Sequence, residues 1–288
     1  MNKKIIVLTG ATASGKTKIS INLAKKINAE IICADSRIVY KDLDIVSAKP
    51  TFQEQNGVVH HLIDILEPTV EFSAGDFATL AKEKINEIQK KGKNIIICGG
   101  TWFYIKSLLD EKSLPECPIN QNLREDLSKL SNEELWEKLK SLDEIRANSI
   151  HPNNKDKVIR SIEMCLALGQ PISQYKRKDN TVFDSAWYMP NFERETLYER
   201  INLRVDEMMK LGLYEEWQKN NKKYPNSKII RNTIGYSEFF EFENIEIAID
   251  KIKQYTRNFA KRQLTYFRSN EKIKLIDNEN DILKDLNA

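Results

Sequence analysis

The chain has 288 residues, is 41% apolar and 30% charged, and carries a formal net charge of +3. That is enough apolar matter for one large or two ordinary domains, and too little net charge for global electrostatics to demand a nucleic-acid partner. No stretch has the apolar length of a membrane span, and the apolar run in residues 1–9 is too short for a signal peptide, so a cytoplasmic placement without membrane contact is expected.

A first strand is predicted at 4–9, followed by Gly10-Ala11-Thr12-Ala13-Ser14-Gly15-Lys16-Thr17. This is a complete G-x-x-x-x-G-K-[ST] loop between a buried strand and an amphipathic helix. Its glycines let several backbone N–H groups point at one anion. Lys16 adds a point charge, and the following helix adds its positive dipole end. The Thr17 hydroxyl is the candidate metal ligand, for a Mg²⁺ bridging two phosphates. A plain glycine turn would not account for both the strand before the loop and the stripe Ile19, Leu23, Ala24 and Ile27 behind it. The loop therefore predicts a bound diphosphate or triphosphate without saying which molecule carries it.

A helix is predicted over 16–28 and a second strand over 30–34, ending in Ala34-Asp35-Ser36. In a parallel α/β sheet this end faces the ligand. Asp35 there could hold Mg²⁺, accept a proton from a nucleophile, or simply cap a turn. A helix follows over 77–91, ended by Gly92, then a strand over 94–98 leading into Gly99-Gly100-Thr101. Two glycines before a hydroxyl suit close backbone approach to a ligand. Cys98 stands where a hydrolytic NTPase would commonly place its Mg²⁺-binding acid, which argues against an ATP-driven motor. Further strands are predicted at 186–189 and 272–276. The four cysteines, Cys33, Cys98, Cys117 and Cys165, have no C-x-x-C pair and read as reduced thiols. Adjacent His60 and His61 lack zinc-ligand spacing to any of them.

Strand–helix alternation predicts the fold class: an α/β P-loop core with a parallel sheet flanked by helices. Residues 113–178 read instead as a helical insertion domain, leaving 1–112 and 179–288 as the catalytic core with its C-terminal helices. Leu123, Leu127 and Leu130, then Leu135, Leu139 and Leu142, form stripes expected to pack. A third helix follows Pro152-Asn153-Asn154, with Val158, Ile162 and Cys165 before Gly169. Residues 197–217 and 248–267 are predicted helical. Acidic residues concentrate in 125–144, whereas the last long helix is basic. On it Arg257, Lys261 and Arg268 share a face beside Phe259, Arg262 and Tyr266. Such a mixture suits RNA phosphates and unpaired bases, and equally a solvated basic face with inward aromatics.

Taken in order, the blocks resemble the tRNA dimethylallyltransferases, or isopentenyl-diphosphate:tRNA isopentenyltransferases. They begin with Gly10–Thr17 and continue through Asp35-Ser36-Arg37-Ile38-Val39-Tyr40, Asp44-Ile45, Ala48-Lys49-Pro50 and His60-His61-Leu62-Ile63-Asp64. Next come Ser73-Ala74-Gly75-Asp76-Phe77, Gly99-Gly100-Thr101, Ile150-His151-Pro152-Asn153-Asn154 with Arg160, and Arg204-Val205-Asp206. Gly212-Leu213, Ile234-Gly235-Tyr236 and Ala260-Lys261-Arg262-Gln263-Leu264-Thr265-Tyr266-Phe267-Arg268 complete the series.

The resemblance implies transfer of a dimethylallyl group from dimethylallyl diphosphate to N6 of the adenosine beside the anticodon, position 37, in tRNAs reading codons that begin with U. Diphosphate is released. The loop residues Gly10, Ala11, Thr12, Ala13, Ser14, Gly15, Lys16 and Thr17 would hold a prenyl diphosphate instead of ATP, with Mg²⁺ and Lys16 stabilising the leaving group. Asp35 would orient and deprotonate the amine, and Thr101 would sit near the same atoms. By the same resemblance the tRNA anticodon stem-loop would meet Asp35, Ser36, Arg37, Ile38, Thr101 and Arg124. It would also meet Asp156, Lys157, Val158, Ile159, Arg160, Arg231, Gly235 and Tyr236, and on the basic helix Lys261, Arg262, Gln263, Thr265 and Arg268. The adenine would leave its stack to react. A monomer is expected.

Three positions depart from the family pattern. Ile38 replaces a usual glutamine and removes one polar contact, which Arg37 could supply. Ala11 replaces a common proline, and Val46-Ser47 replaces a usual Gly-Thr pair. A small-molecule kinase and a non-catalytic RNA-binding protein are the competing readings. The first leaves the insertion and basic helix unexplained, the second the joint presence of Lys16, Thr17, Asp35 and Thr101.

Overall fold

The computed structural model describes residues 4–110, 115, 117–176, 179 and 183–287. The chain divides into two compact units, residues 1–110 with 181–288, and residues 111–180. The boundary residues Lys112, Ser113 and Lys178 lie outside the described residues.

The first unit opens with β1 (Ile5–Thr9), every residue of it buried, as a strand covered on both faces must be. The phosphate loop leads into α1 (Lys16–Ile27), which Asn28 ends in the left-handed conformation. Then come β2 (Ala29–Cys33), the short α2 (Phe52–Gln55), β3 (His60–His61), α3 (Ala74–Lys90), β4 (Asn94–Gly99) and α4 (Trp102–Leu109). Helix α3 starts three residues before the predicted position. The Ser73 hydroxyl accepts the Asp76 N–H at 3.2 Å and the Asp76 carboxylate accepts the Ser73 N–H at 2.8 Å. This reciprocal cap adds the first turn.

The second unit holds α5 (Gln121–Ser128), α6 (Asn132–Leu142), α7 (Glu144–Asn148) and α8 (Lys155–Leu168), with one 3₁₀ turn at Ile172–Gln174. Leu127, Leu135, Leu139, Val158, Ile162 and Cys165 form its buried centre. The leucine stripes thus pack the unit's own core.

The chain re-enters the first unit at β5 (Ser185–Pro190) and continues through α9 (Arg194–Lys210), α10 (Leu213–Lys223), α11 (Lys228–Arg231) and α12 (Ser237–Glu241). It ends with α13 (Ile245–Arg268), β6 (Ile273–Ile276) and α14 (Glu279–Asn287). The helix predicted over 197–217 is two helices. Gly212 takes φ +96° at the junction and turns the chain, so the apolar pattern resumes on a new axis.

All six strands run parallel in the order β3-β2-β4-β1-β5-β6. The two-residue β3 escaped prediction because its residues are histidines. It pairs with Ile31 and Ile32 of β2 and is pinned where His61 Nε2 meets the Glu30 carboxylate at 2.7 Å. Glu30 is 1% exposed. Burial opposes its charge, but Lys93, His61 and Lys91 outweigh that and hold it down at about 2. His61 is therefore a structural partner on the edge strand.

Candidate active site

Strand β1 delivers the phosphate loop to the C-terminal edge of the sheet. Gly10, Ala13 and Gly15 take φ of +135°, +60° and +86°, the left-handed geometry that turns successive N–H groups toward one concavity. Lys16 curls over it, its Nζ donating to the Ala11 carbonyl at 2.6 Å and the Ser14 Oγ at 3.4 Å. Burial lowers the Lys16 ammonium to about 8. Cys98 and the Asp35 carboxylate pull it upward, and Arg204 pushes it down.

Asp35 follows β2, one strand removed from the loop across β4. Its Oδ1 accepts the N–H of Arg37 at 2.8 Å and of Ile38 at 3.4 Å. One oxygen thus makes the turn expected of an Asp-Ser pair and fixes the direction of the other. The Thr101 hydroxyl accepts the Ser36 N–H at 3.1 Å, so the second and fourth strands present Asp35 and Thr101 as one connected edge. Ile38 packs its side chain into the apolar cluster on the α1 side of the sheet.

The glycines at the end of β4 are required by the protein's own packing. A Cβ on Gly99 would lie 2.0 Å from the Ala34 carbonyl oxygen, and one on Gly100 would lie 2.3 Å from Gln263 Nε2. The close approach is to the protein's own backbone and to α13. Gln263, only 6% exposed, donates to the Gly100 carbonyl at 2.9 Å and accepts the Thr12 N–H at 2.8 Å. Its side chain is a latch between α13, the phosphate loop and the end of β4.

Arg204 on α9 is the group that pattern reading passed over. It was visible only as part of Arg204-Val205-Asp206, with nothing to say where it points. Burial lowers its pKa, while Asp35, Glu207 and Glu54 pull the other way. Among the described residues it has no hydrogen-bonded or ion-paired partner. A guanidinium stays cationic when desolvated. Lys16 and Arg204 thus both lie within electrostatic reach of Asp35, and Arg204 also within reach of Glu207 and Glu54.

The other RNA-contact candidates separate by exposure. Lys261, Arg262, Thr265 and Arg268 are exposed on α13, whereas Arg257 is tied to Asn202 at 2.6 Å. Arg231 is exposed, its guanidinium 5.4 Å from the centre of the Phe240 ring. Tyr236 is fully buried. Its hydroxyl donates to Glu216 at 2.7 Å, and Glu216 also accepts the N–H groups of Asp44, Ile45 and Val46. Its side chain thus holds the loop containing the Val46-Ser47 departure. Gly235 takes φ +99° against Val46.

In the second unit Asp156 and Lys157 are exposed, while Val158 and Ile159 are core residues. Arg124 grips Glu163 through Nε and Nη2, at 3.2 and 3.0 Å. Arg160 contacts the same carboxylate and donates to the Cys117 carbonyl at 2.8 Å.

No three His, Cys, Asp or Glu side chains among the described residues gather as a closed cation cage. The edge offers the exposed Thr17 hydroxyl and the Asp35 carboxylate. That sparse oxygen set fits Mg²⁺, which keeps waters and shares substrate phosphate oxygens instead of occupying a dedicated cage.

The parallel sheet order and the phosphate-loop sequence at the end of β1 define a P-loop α/β protein. A family model described as IPP transferase matches residues 38–270, and the chain belongs to that family. It is 40% identical over 289 residues to a tRNA dimethylallyltransferase of Anoxybacillus flavithermus, covering 98% of this chain and 93% of that one. It is 43% identical over 279 residues to the enzyme of the same name from Enterococcus faecalis, covering 93% and 89%. Among solved structures, the tRNA delta(2)-isopentenylpyrophosphate transferase of Staphylococcus epidermidis matches at 36% identity and TM-score 0.70, covering 99% of both chains. A eukaryotic dimethylallyltransferase acting on tRNA matches at 28% identity and TM-score 0.84, covering 95% of this chain and 73% of that one. No described helix is long and apolar enough to cross a membrane.

Proposed function

We propose that this chain transfers a dimethylallyl group from dimethylallyl diphosphate to N6 of adenosine 37, beside the anticodon, in tRNAs that read codons beginning with U. The observation that carries the reading is that the phosphate loop with Lys16 after β1, Asp35 after β2 and Thr101 after β4 open onto one edge of the parallel sheet, with the Thr101 hydroxyl accepting the Ser36 N–H. The phosphate loop, Lys16 and Arg204 take the diphosphate. Thr17 would hold Mg²⁺, which adds charge against the leaving group. The amine nitrogen forms a bond to the terminal prenyl carbon as that carbon's bond to the diphosphate oxygen breaks. The amine proton passes to the Asp35 carboxylate. Thr101 lies beside Asp35 to orient the base. The exposed cations of α13, with Asp156, Lys157, Arg124 and Arg160 of the helical insertion, contact the anticodon stem-loop. The protein acts as a monomer.

The test is direct. Labelled dimethylallyl diphosphate, Mg²⁺ and unmodified tRNA are incubated with the protein, and the digested RNA is searched for prenylated adenosine. No label in RNA, with phosphate transfer from ATP instead, would make it a kinase.

Lys16→Ala should weaken prenyl diphosphate binding by about 1.5–3 kcal/mol, the usual worth of a charged hydrogen bond, and leave tRNA affinity unchanged. In the parent, diphosphate affinity should fall as pH rises through about 8, where the lowered Lys16 ammonium loses its proton. Titration calorimetry in buffers of different ionisation heat should register proton uptake on binding near that pH. Equal diphosphate affinity in Lys16→Ala and the parent would remove the loop assignment.

Lys261→Ala and Arg268→Ala should each lower the log–log salt slope of tRNA binding by about one unit. An unchanged slope in both would make the stripe a solvated face.

A further inference from the structure

Two exposed aromatic side chains meet beside the site without being part of it. Phe103, in the first turn of α4, is 59% exposed, and Tyr266 on α13 is 44% exposed. Their ring centroids are 5.6 Å apart at 63°. Exposed large apolar groups are ordinary one at a time. Here, two from distant parts of the chain are held together by what lies beneath them. Their chain neighbours Trp102 and Phe267 form an inner pair, 5.7 Å apart at 81°, with Trp102 also against Trp187 and Phe267 fully buried. The inner pair anchors both helices, so the outer pair is a rigid surface.

Its location is set by hydrogen bonds. Phe103 lies two residues beyond Thr101, whose hydroxyl accepts the Ser36 N–H. Tyr266 lies one turn beyond Gln263, about 4.5 Å along the axis, and Gln263 is bonded to Thr12 and Gly100. The pair therefore borders the edge that carries Asp35 and the phosphate loop. The exposed cations one helical turn from it, Arg262 before Tyr266 and Lys106 after Phe103, match a polyanion and do not match an apolar protein partner.

We propose that Phe103 and Tyr266 form a stacking platform for the unpaired base that flanks the target adenosine, a role that rests on the tRNA reading above. An adenine that reaches Asp35 must leave its stack, and its neighbour then loses a stacking partner. An aromatic face replaces that partner without reading the base, because every base has a π-face. The platform positions the substrate and takes no part in bond making.

The test separates stacking from charge. In Phe103→Ala and Tyr266→Ala the dissociation constant for unmodified tRNA should rise about 5- to 150-fold, the range for losing one base–aromatic stack. The log–log salt slope should stay that of the parent, since no phosphate contact is lost. Phe103→Tyr should bind as the parent does, and Phe103→Leu should not. A 2-aminopurine placed beside the target adenosine should be quenched by the parent and not by Phe103→Ala. Prenyl diphosphate affinity and the thermal midpoint should be unchanged in all four variants, which shows that they fold. Parent-like tRNA affinity in both alanine variants, or in Phe103→Leu, overturns the platform. If the parent still prenylates tRNA in that case, the proposed function stands; if the parent transfers no label at all, the tRNA reading itself has failed.

Discussion

Asp35→Asn should lower kcat by roughly 10²–10⁴, the usual contribution of a general base, and leave the KM for prenyl diphosphate nearly unchanged. The local geometry makes this a clean substitution. Asp35 Oδ1 is taken by the N–H groups of Arg37 and Ile38, and an asparagine carbonyl can accept both. The turn survives, and the change falls on the second oxygen, which becomes an amide that cannot take a proton. An exocyclic adenine amine is a weak nucleophile, because its lone pair is delocalised into the ring. Its N–H becomes acidic only as the new bond forms, so the loss belongs to the transition state. The rival role for Asp35 is holding Mg²⁺. In that case the variant loses diphosphate affinity and recovers rate as Mg²⁺ is raised. Single-turnover rates across a Mg²⁺ series at saturating tRNA decide between the two, and metal rescue would end the general-base assignment.

The sheet was legible wherever a strand is buried on both faces. Ile5–Leu8 and Ile95–Ile97 are nearly uninterrupted apolar runs, and turn residues bound them. The edge strand His60–His61 was not legible, because two polar residues have no period and their pairing depends on Ile31 and Ile32, some thirty positions away. The break at Gly212 hid inside a continuous amphipathic pattern, since both helices bury the same kind of stripe.

At the candidate site, the phosphate loop, Asp35 and Thr101 could be named because each follows a strand end, and parallel topology sends all strand ends to one edge. Arg204 and Gln263 sit on helices, where the same logic gives a face and not a destination. Gln263 read as one more polar residue of a basic helix. Its role as a latch depends on a contact 251 positions away, to Thr12. Tyr236 likewise read as a surface contact until Glu216 accounted for its hydroxyl.

Gly99→Ala should destabilise the protein by at least about 3 kcal/mol, the upper end for forcing an extra methyl into a packed interior. For a chain of this size that is roughly 5 °C in the thermal midpoint. The new Cβ would stand 2.0 Å from the Ala34 oxygen, 2.4 Å from its carbonyl carbon and 2.8 Å from its Cα. These are backbone atoms, and no side-chain rotation relieves the clash. Nor can Ala34 retreat freely, because its N–H donates to the Cys98 carbonyl at 2.8 Å and its carbonyl accepts the Thr101 N–H at 3.1 Å. Separating the strands pulls on both bonds and displaces Asp35 and Thr101 together. Gly75→Ala is the control. That residue lies in the first turn of α3 without positive φ, and its Cβ would meet only the Ser73 hydroxyl, at 3.5 Å. Its midpoint should move by no more than about 2 °C, or rise slightly through helix propensity. A melt in which the two variants lose equal stability would show that the approach of Gly99 to Ala34 does not hold the site together. If Gly99→Ala folds at a lowered midpoint, its remaining molecules should also turn over more slowly, because the displaced carboxylate and hydroxyl belong to the reacting edge.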